Sequence, residues 1–193
     1  MRIHGEKKIV RRALVEHRSP YGKYKDILRE DFAEICGYCG KSEAVTKNAF
    51  ETDHFIPLKY APEKEEDYYN LVYSCYECNR KKASKWPSKD KNIQFVNGEG
   101  FVDPASDDYD NHLERDTNGN IIGKTDVGRY MVEKGFEFNK RPMREIYKAM
   151  QLIEKKQQLY NKRKSVSKDE LQEYIEADEL LAKVQRLLFE NKE

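Results

Sequence analysis

The chain lacks a surplus of charge. Its 193 residues carry 36 Lys plus Arg against 35 Asp plus Glu, a formal net charge of +1. That balance removes the simplest argument for a nucleic-acid binder, a globally basic protein, although only the local field over a binding face matters. Long hydrophobic runs are missing too. No stretch approaches the ~20 apolar residues that span a bilayer, so a membrane protein is not expected. Met1 to Lys8 is charged and has no apolar core segment, which excludes a signal peptide there and makes a cytoplasmic location the expectation. No internal repeat or low-complexity linker is visible. Charged residues make up 37% of the chain and hydrophobic ones 38%, so the core should be modest and the surface heavily charged. The 13 Tyr and 8 Phe, with periodic apolar positions, exclude a disordered chain.

Cysteine is scarce, and all of it is paired in sequence: Cys36 with Cys39, Cys75 with Cys78. Two disulfides are disfavoured in a reducing compartment. A thioredoxin-like redox motif would explain one pair and leave the other idle. Four thiolates on two knuckles suit tetrahedral zinc, with no ligand position left for water or substrate, and hence a structural role. Gly40, directly after the second thiolate, permits the tight turn such a knuckle needs.

Between the knuckles, Phe50 to Ile56 reads as a strand ended by Pro57, and Lys59 to Tyr69 as an acidic loop. Leu71 to Tyr73 is a short apolar segment. From Cys78 to about Ala83 or Lys85 the pattern suits a short helix, stopped before Trp86-Pro87. Hydrolysis assisted by a metal ion needs a base for water and hard oxygen ligands for the cation. His54 suits the base and Asp53 a hard oxygen ligand, with Asn79 able to add a carbonyl oxygen. Neighbours on a regular strand point to opposite faces, so a bulge or turn is expected at Asp53-His54. Taken singly, His54 also reads as half of a surface pair, Asn70 as a cap or turn residue, and Asn79 as a polar helix position.

Cys36-x2-Cys39, Asp53-His54, Asn70-Leu71 and Cys75-x2-Cys78-Asn79-x2-Lys82 together resemble the zinc-bound HNH nuclease family in its His-Asn-Asn variant, over about residues 32–86. The resemblance implies an α+β fold with a ββα-metal core: a hairpin crossed by a helix, with one divalent ion between. It implies Mg²⁺ or Mn²⁺ (one per site) on Asp53 and Asn79, water activated by His54, and a supporting role for Asn70. One zinc per chain would sit on Cys36, Cys39, Cys75 and Cys78.

Locally the charge is segregated. Residues 80–91 hold six Lys or Arg against one acid, and residues 97–128 eight acids against two basic residues. Residues 129–168 hold twelve basic residues against four acids, and residues 169–182 six acids and no Lys or Arg. Arg80, Lys82 and Lys85 are the candidates for phosphate contact beside the metal site. Trp86 reads as a core anchor.

Four segments are expected. Residues 1–31 should be helical, packed on the nuclease module. Residues 32–91 form the HNH core. Residues 92–141 form an extension, with a hairpin turning at Asn118-Gly119. His112 reads as a hairpin side chain with a structural contact; Asp103 and Asp108 read as loop or cap residues rather than ligands for a second ion. The stretch through Gly128-Arg129-Tyr130, Phe136, Phe138 and Asn139-Lys-Arg-Pro142 resembles the extension of a subset of bacterial HNH proteins, some from anti-phage systems that work beside an ATPase. That resemblance implies such a partner. Residues 142–193 form a helical hairpin: Pro142 opens the first helix, Lys162 to Lys164 close it, and Ser167 with Glu170 caps the second, whose apolar stripe ends at Leu188. The hairpin should dock on the module, on a second copy as a homo-oligomer, or on a partner.

The leading expectation is a metal-dependent endonuclease acting on double-stranded DNA. The alternatives are a zinc-stabilised module that binds nucleic acid without cutting it, and an interaction protein with zinc as a staple.

Overall fold

The computed structural model describes residues 1–46, 50–161 and 167–190, the last four of these by backbone only. Lys162 to Lys164 and the Leu188 side chain lie outside the described residues.

The architecture is α+β, built around β1 (Phe50–His54), β2 (Leu71–Cys75) and α2 (Tyr76–Lys82). β1 and β2 pair antiparallel, with Asp53 opposite Val72 and His54 opposite Leu71. The register is regular through His54. The expected bulge is absent: β1 ends at His54, which frees its side chain without breaking the ladder. β2 is buried along its whole length and leads directly into α2, whose N-cap is Cys75. α2 therefore starts between the two ligand positions of the second knuckle and lies across β1.

The N-terminal segment is helical only from Tyr21, through a 3₁₀ turn (Tyr21–Tyr24) and α1 (Lys25–Asp31). Residues 7–18 contain no helix. Ile9, Ala13 and Leu14 therefore share no helical face, and Leu14 is 90% exposed. Long-range polar contacts replace the helix. Val10 N–H donates to Asp31 O at 3.0 Å. Arg12 grips the Asp31 and Glu30 carboxylates, and Arg11 reaches Asp103 Oδ2 at 2.7 Å and Leu71 O at 3.1 Å. The segment is an arm clamped onto the core by its arginines.

After α2 come a small hairpin, β3 (Phe95–Val96) and β4 (Glu99–Gly100), then α3 (Tyr109–His112). A second hairpin follows, β5 (Leu113–Arg115) and β6 (Ile121–Gly123), then α4 (Asp126–Tyr130), continued by a π turn (Met131–Gly135). The β5–β6 hairpin turns through a longer loop than the Asn-Gly pair alone implies. Asp116 caps it by accepting from the Asn118 and Asn120 amides at 2.9 Å each. His112 has the structural role expected of it, bonded to Thr125 Oγ1 at 2.7 Å and Asp108 Oδ2 at 2.9 Å. Asp103 is committed to Arg11 and to the Ala105 amide.

One hydrophobic core runs from Ile3 to Ile146. Trp86 is an anchor within it, edge-on to Phe55 at 5.4 Å and stacked on Phe101 at 6.4 Å. Burying an aromatic of this size contributes about 1.5–3 kcal/mol. The C-terminal hairpin is α5 (Met143–Asn161) and α6 (Lys168–Glu190). Ser167 and Glu170 form the expected capping box, with Glu170 N to Ser167 Oγ at 3.2 Å and Ser167 N to Glu170 Oε2 at 2.9 Å. Met143 and Ile146 enter the main core, while Ala149 and Val184 close on Val45. The hairpin thus docks on the module that precedes it. No helix among the described residues is long and apolar enough to cross a membrane.

Candidate active site and metal centre

The two knuckles converge. Cys36, Cys39, Cys75 and Cys78 are fully buried and free of disulfides, and their sulfurs all lie within 4.8 Å of one another. The Cys39–Cys75 separation is 3.8 Å; four sulfurs ~2.3 Å from a tetrahedral zinc stand ~3.8 Å apart. The first knuckle is closed by Gly40 N to Cys36 O at 2.8 Å and Cys36 N to Lys41 O at 2.9 Å. Gly40 has a φ of +68°, and a Cβ there would meet Ile3 O at 2.4 Å, so this turn requires glycine.

Buried cations surround the sulfurs. Arg141 reaches Cys78 Sγ at 3.2 Å and Cys75 Sγ at 3.9 Å. Lys41, almost fully buried, pairs with Glu77 at 2.9 Å. Arg115 donates to the carbonyls of Cys39, Gly119 and Ile3. Burial alone would lower the Arg141 pKa, yet the facing sulfurs of Cys78, Cys75 and Cys39 hold it well above its ordinary value. Burial likewise opposes the charge on Lys41, but Cys75 and Glu77 raise its pKa. Such a shell compensates a centre of net negative charge, as four thiolates on one divalent ion would be. The cluster is capable of coordinating a metal ion.

α2 carries the cluster over to the second site. Asn79 Nδ2 donates to Glu51 Oε2 at 2.6 Å, and Lys82 Nζ lies 3.0 Å from Asp53 Oδ2. Residues 79 and 82 on the helix thus face residues 51 and 53, which share one side of β1. Asp53 is buried and also accepts from Tyr38 Oη at 2.5 Å. Lys82 is fully buried, donating to His54 O at 2.7 Å. It is an internal cation joining β1 to α2, not a surface contact for phosphate. Lys85 is half-buried on the carbonyls of Lys134 and Gly135, at 2.6 and 3.2 Å; burial lowers its pKa. Of the three expected phosphate contacts only Arg80 is exposed, its guanidinium over the Tyr76 ring.

His54 is half-buried at the end of β1. Its Nε2 lies 2.8 Å from Glu65 O, and the Tyr21 ring meets it edge-on at 4.6 Å. A carbonyl oxygen only accepts, so Nε2 carries the hydrogen and the neutral ring keeps its lone pair on Nδ1. Asn70 fixes the chain that follows. Its Oδ1 accepts from Ile56 N at 2.9 Å, its Nδ2 donates to Ile56 O at 3.1 Å, and its own carbonyl takes Phe55 N at 2.8 Å. Asn70→Ala is expected to lower unfolding free energy by about 1–3 kcal/mol, read by urea denaturation, with metal content unchanged. Unaltered stability would remove the clamp from this account.

Residues 36–85 match the family model described as HNH endonuclease. This segment is similar to the core of HNH endonucleases. It holds the four cysteines, Asp53, His54, Asn70 and Asn79, and covers about a quarter of the chain. No curated protein and no solved structure matched the chain. Two neighbours in this HNH-like core carried no expectation from the sequence. Glu51, two residues before Asp53 on the same side of β1, could have been found from strand alternation. Tyr38, inside the first knuckle, carries no local signal for its bond to Asp53.

Proposed function

We propose that the chain is a metal-dependent endonuclease that hydrolyses DNA phosphodiester bonds, its fold held by one structural zinc. The observation that carries this reading is His54 at the end of β1, its ring oriented by Glu65 O, within a segment that matches the HNH endonuclease model and also holds Asp53, Asn70 and Asn79. Asp53 and Asn79 would hold a divalent ion, with Glu51 able to add a third oxygen. Such hard donors fit Mg²⁺ or Mn²⁺. When bound, the ion supplies Lewis-acid polarisation of the phosphate and neutralises charge on the leaving oxygen. His54 takes the proton of the attacking water at Nδ1, while Glu65 O fixes the ring through Nε2. Asn70 holds the His54 segment in place. Lys82 pairs with Asp53 and ties β1 to α2, and Arg80 offers an exposed charge to the substrate backbone.

The deciding experiment is plasmid cleavage with Mg²⁺ or Mn²⁺ by the wild type and His54→Ala, with and without a candidate ATPase partner. The partner is the anti-phage setting implied by the resemblance of the segment after the HNH core.

The thiolate shell gives a separate test of zinc. Arg141→Met removes the cation facing Cys75 and Cys78 and is expected to weaken zinc binding about 10- to 100-fold, measured by competition with a chromophoric chelator. Unchanged affinity would show that Arg141 serves packing alone.

A further inference from the structure

The β3–β4 hairpin is an apolar projection on a charged protein. Residues 89–97 are all exposed, and among them Ile93, Phe95 and Val96 are 45%, 42% and 40% accessible. Phe95 and Val96 occupy the two faces of β3, Phe95 tilted on His112 at 5.9 Å, and Ile93 leads into the strand, an apolar edge unlike the scatter expected of an ordinary surface.

The hairpin is also rigid. Asn97 and Gly98 both have positive φ, 52° and 78°, as a tight two-residue turn between twisted strands requires. A Cβ at Gly98 would meet Asp126 Cβ at 2.6 Å, so the tip is packed against the start of α4. At its base, Phe101 N donates to Gln94 O at 3.1 Å and Trp86 Nε1 donates to Asp90 O at 2.8 Å. Trp86 in turn abuts Phe55, the residue after His54. Lys91 pairs with Glu63 at 2.5 Å, and Glu63 lies two residues from the Glu65 carbonyl that holds His54. The projection is therefore mounted on the His54 side of the core, and little conformational freedom remains to be lost on binding.

Its electrostatics select the occupant. Lys89 is exposed and has no ion-pair partner among the described residues, and the Lys91–Glu63 pair is open to solvent. Of the nearby acids, Glu99 is committed to Lys134 at 2.6 Å and Asp126 to Arg129, while Asp90 accepts from Asn92. Apolar side chains flanked by lysines match a polyanion that displays flat apolar faces, which is a nucleic-acid strand with its bases unstacked. We propose that the β3–β4 hairpin is a base-stacking wedge: Phe95, with Ile93 and Val96, packs against unstacked bases, while Lys89 and Lys91 hold the adjacent phosphates. The substrate class is then DNA with a locally opened or bulged segment rather than a uniform duplex. This rests on the reading that the chain acts on nucleic acid.

The test uses the full, zinc-loaded chain and a short DNA duplex with an unpaired central bulge carrying 2-aminopurine, beside the same duplex without the bulge. Ca²⁺ replaces Mg²⁺ to hold the complex. The wild type should bind the bulged duplex about 5- to 100-fold more tightly, the range for stacking one base, with a change in 2-aminopurine emission. A Phe95→Ser, Val96→Ser double variant, checked for native circular dichroism, should lose that preference. Lys89→Gln with Lys91→Gln should weaken binding to both duplexes alike. Equal binding of both duplexes by the wild type, or a preference kept by the serine variant, overturns the wedge. So does a serine variant that loses self-association in sedimentation while its DNA preference stays. The two readings fail separately. If the bulge preference depends on Phe95 and Val96 but nothing is cut with Mg²⁺ or Mn²⁺, the nuclease reading falls and the wedge stands. His54-dependent cleavage at an unchanged bulge preference in the serine variant gives the reverse.

Discussion

Cys78→Ser is expected to abolish the cooperative thermal transition at neutral pH, or to lower it by tens of degrees, with zinc lost from the purified chain. A structural zinc contributes about 10–16 kcal/mol of apparent binding free energy at pH 7 in small domains. Whole domains are stable by only about 5–15 kcal/mol, so losing the ion exceeds what the rest of the fold supplies. Residues 36–46 contain no regular strand or α-helix, and serine oxygen is a poor substitute for thiolate sulfur. The damage extends past the ligands. Arg141 is packed against these sulfurs, and a buried cation without its partner is costly. Cys78 also lies in α2 with Asn79 and Lys82, so losing the ion would detach the helix that spans Glu51 and Asp53. Circular dichroism melting with metal analysis reads the outcome. A variant that melts like the wild type would show that the four sulfurs hold no structural ion.

How much of this was legible in the chain depends on the reach of each interaction. The knuckles were legible because a C-x-x-C pair is a local motif and two pairs leave few chemistries open. The α5–α6 hairpin was legible because its signals, Pro142 and the Ser167–Glu170 box, act within one helical turn. The N-terminal arm was not. Its partners, Asp31, Asp103 and the Leu71 carbonyl, are up to 92 residues away, and they overrule a weak apolar periodicity. Arg141 was hidden in the same way, 63 residues from Cys78. Lys82 misled for a different reason. A lysine in a basic run normally faces solvent, and only the strand register sets an aspartate opposite it, pulling the ammonium inside. The acidic stretches that cancel the net charge proved partly paired with distant arginines as well: Asp103 holds Arg11, and Asp110 meets Arg2 at 2.6 Å. The charge balance thus describes stitching between segments as much as a polarised surface.

His54→Ala is expected to reduce cleavage by about 10²–10⁴-fold, the usual contribution of a positioned general base, while zinc content and melting temperature stay near wild type. The fold should tolerate the change because the ring is half-buried and its one described hydrogen bond goes to the Glu65 carbonyl at 2.8 Å. That bond lies on the loop side, away from the core, and the clamp from Asn70 to Ile56 is untouched. Cleavage should not tolerate it, since no other imidazole is positioned to replace this one. His4 is stacked on Tyr109 and bonded to Gly37 O at 2.6 Å, burial pushing its pKa down to about 4. His112 is held between Thr125 and Asp108, and His17 is exposed and paired with Glu66 at 3.2 Å. His54→Gln sharpens the test. It keeps a donor for the Glu65 carbonyl but offers no base of useful strength, so it should lose cleavage as His54→Ala does. Initial rates of plasmid nicking in Mn²⁺ measure both variants. Recovery of near-wild-type rate by His54→Gln would mean that residue 54 only positions its loop, and the base would then have to lie elsewhere in the HNH core.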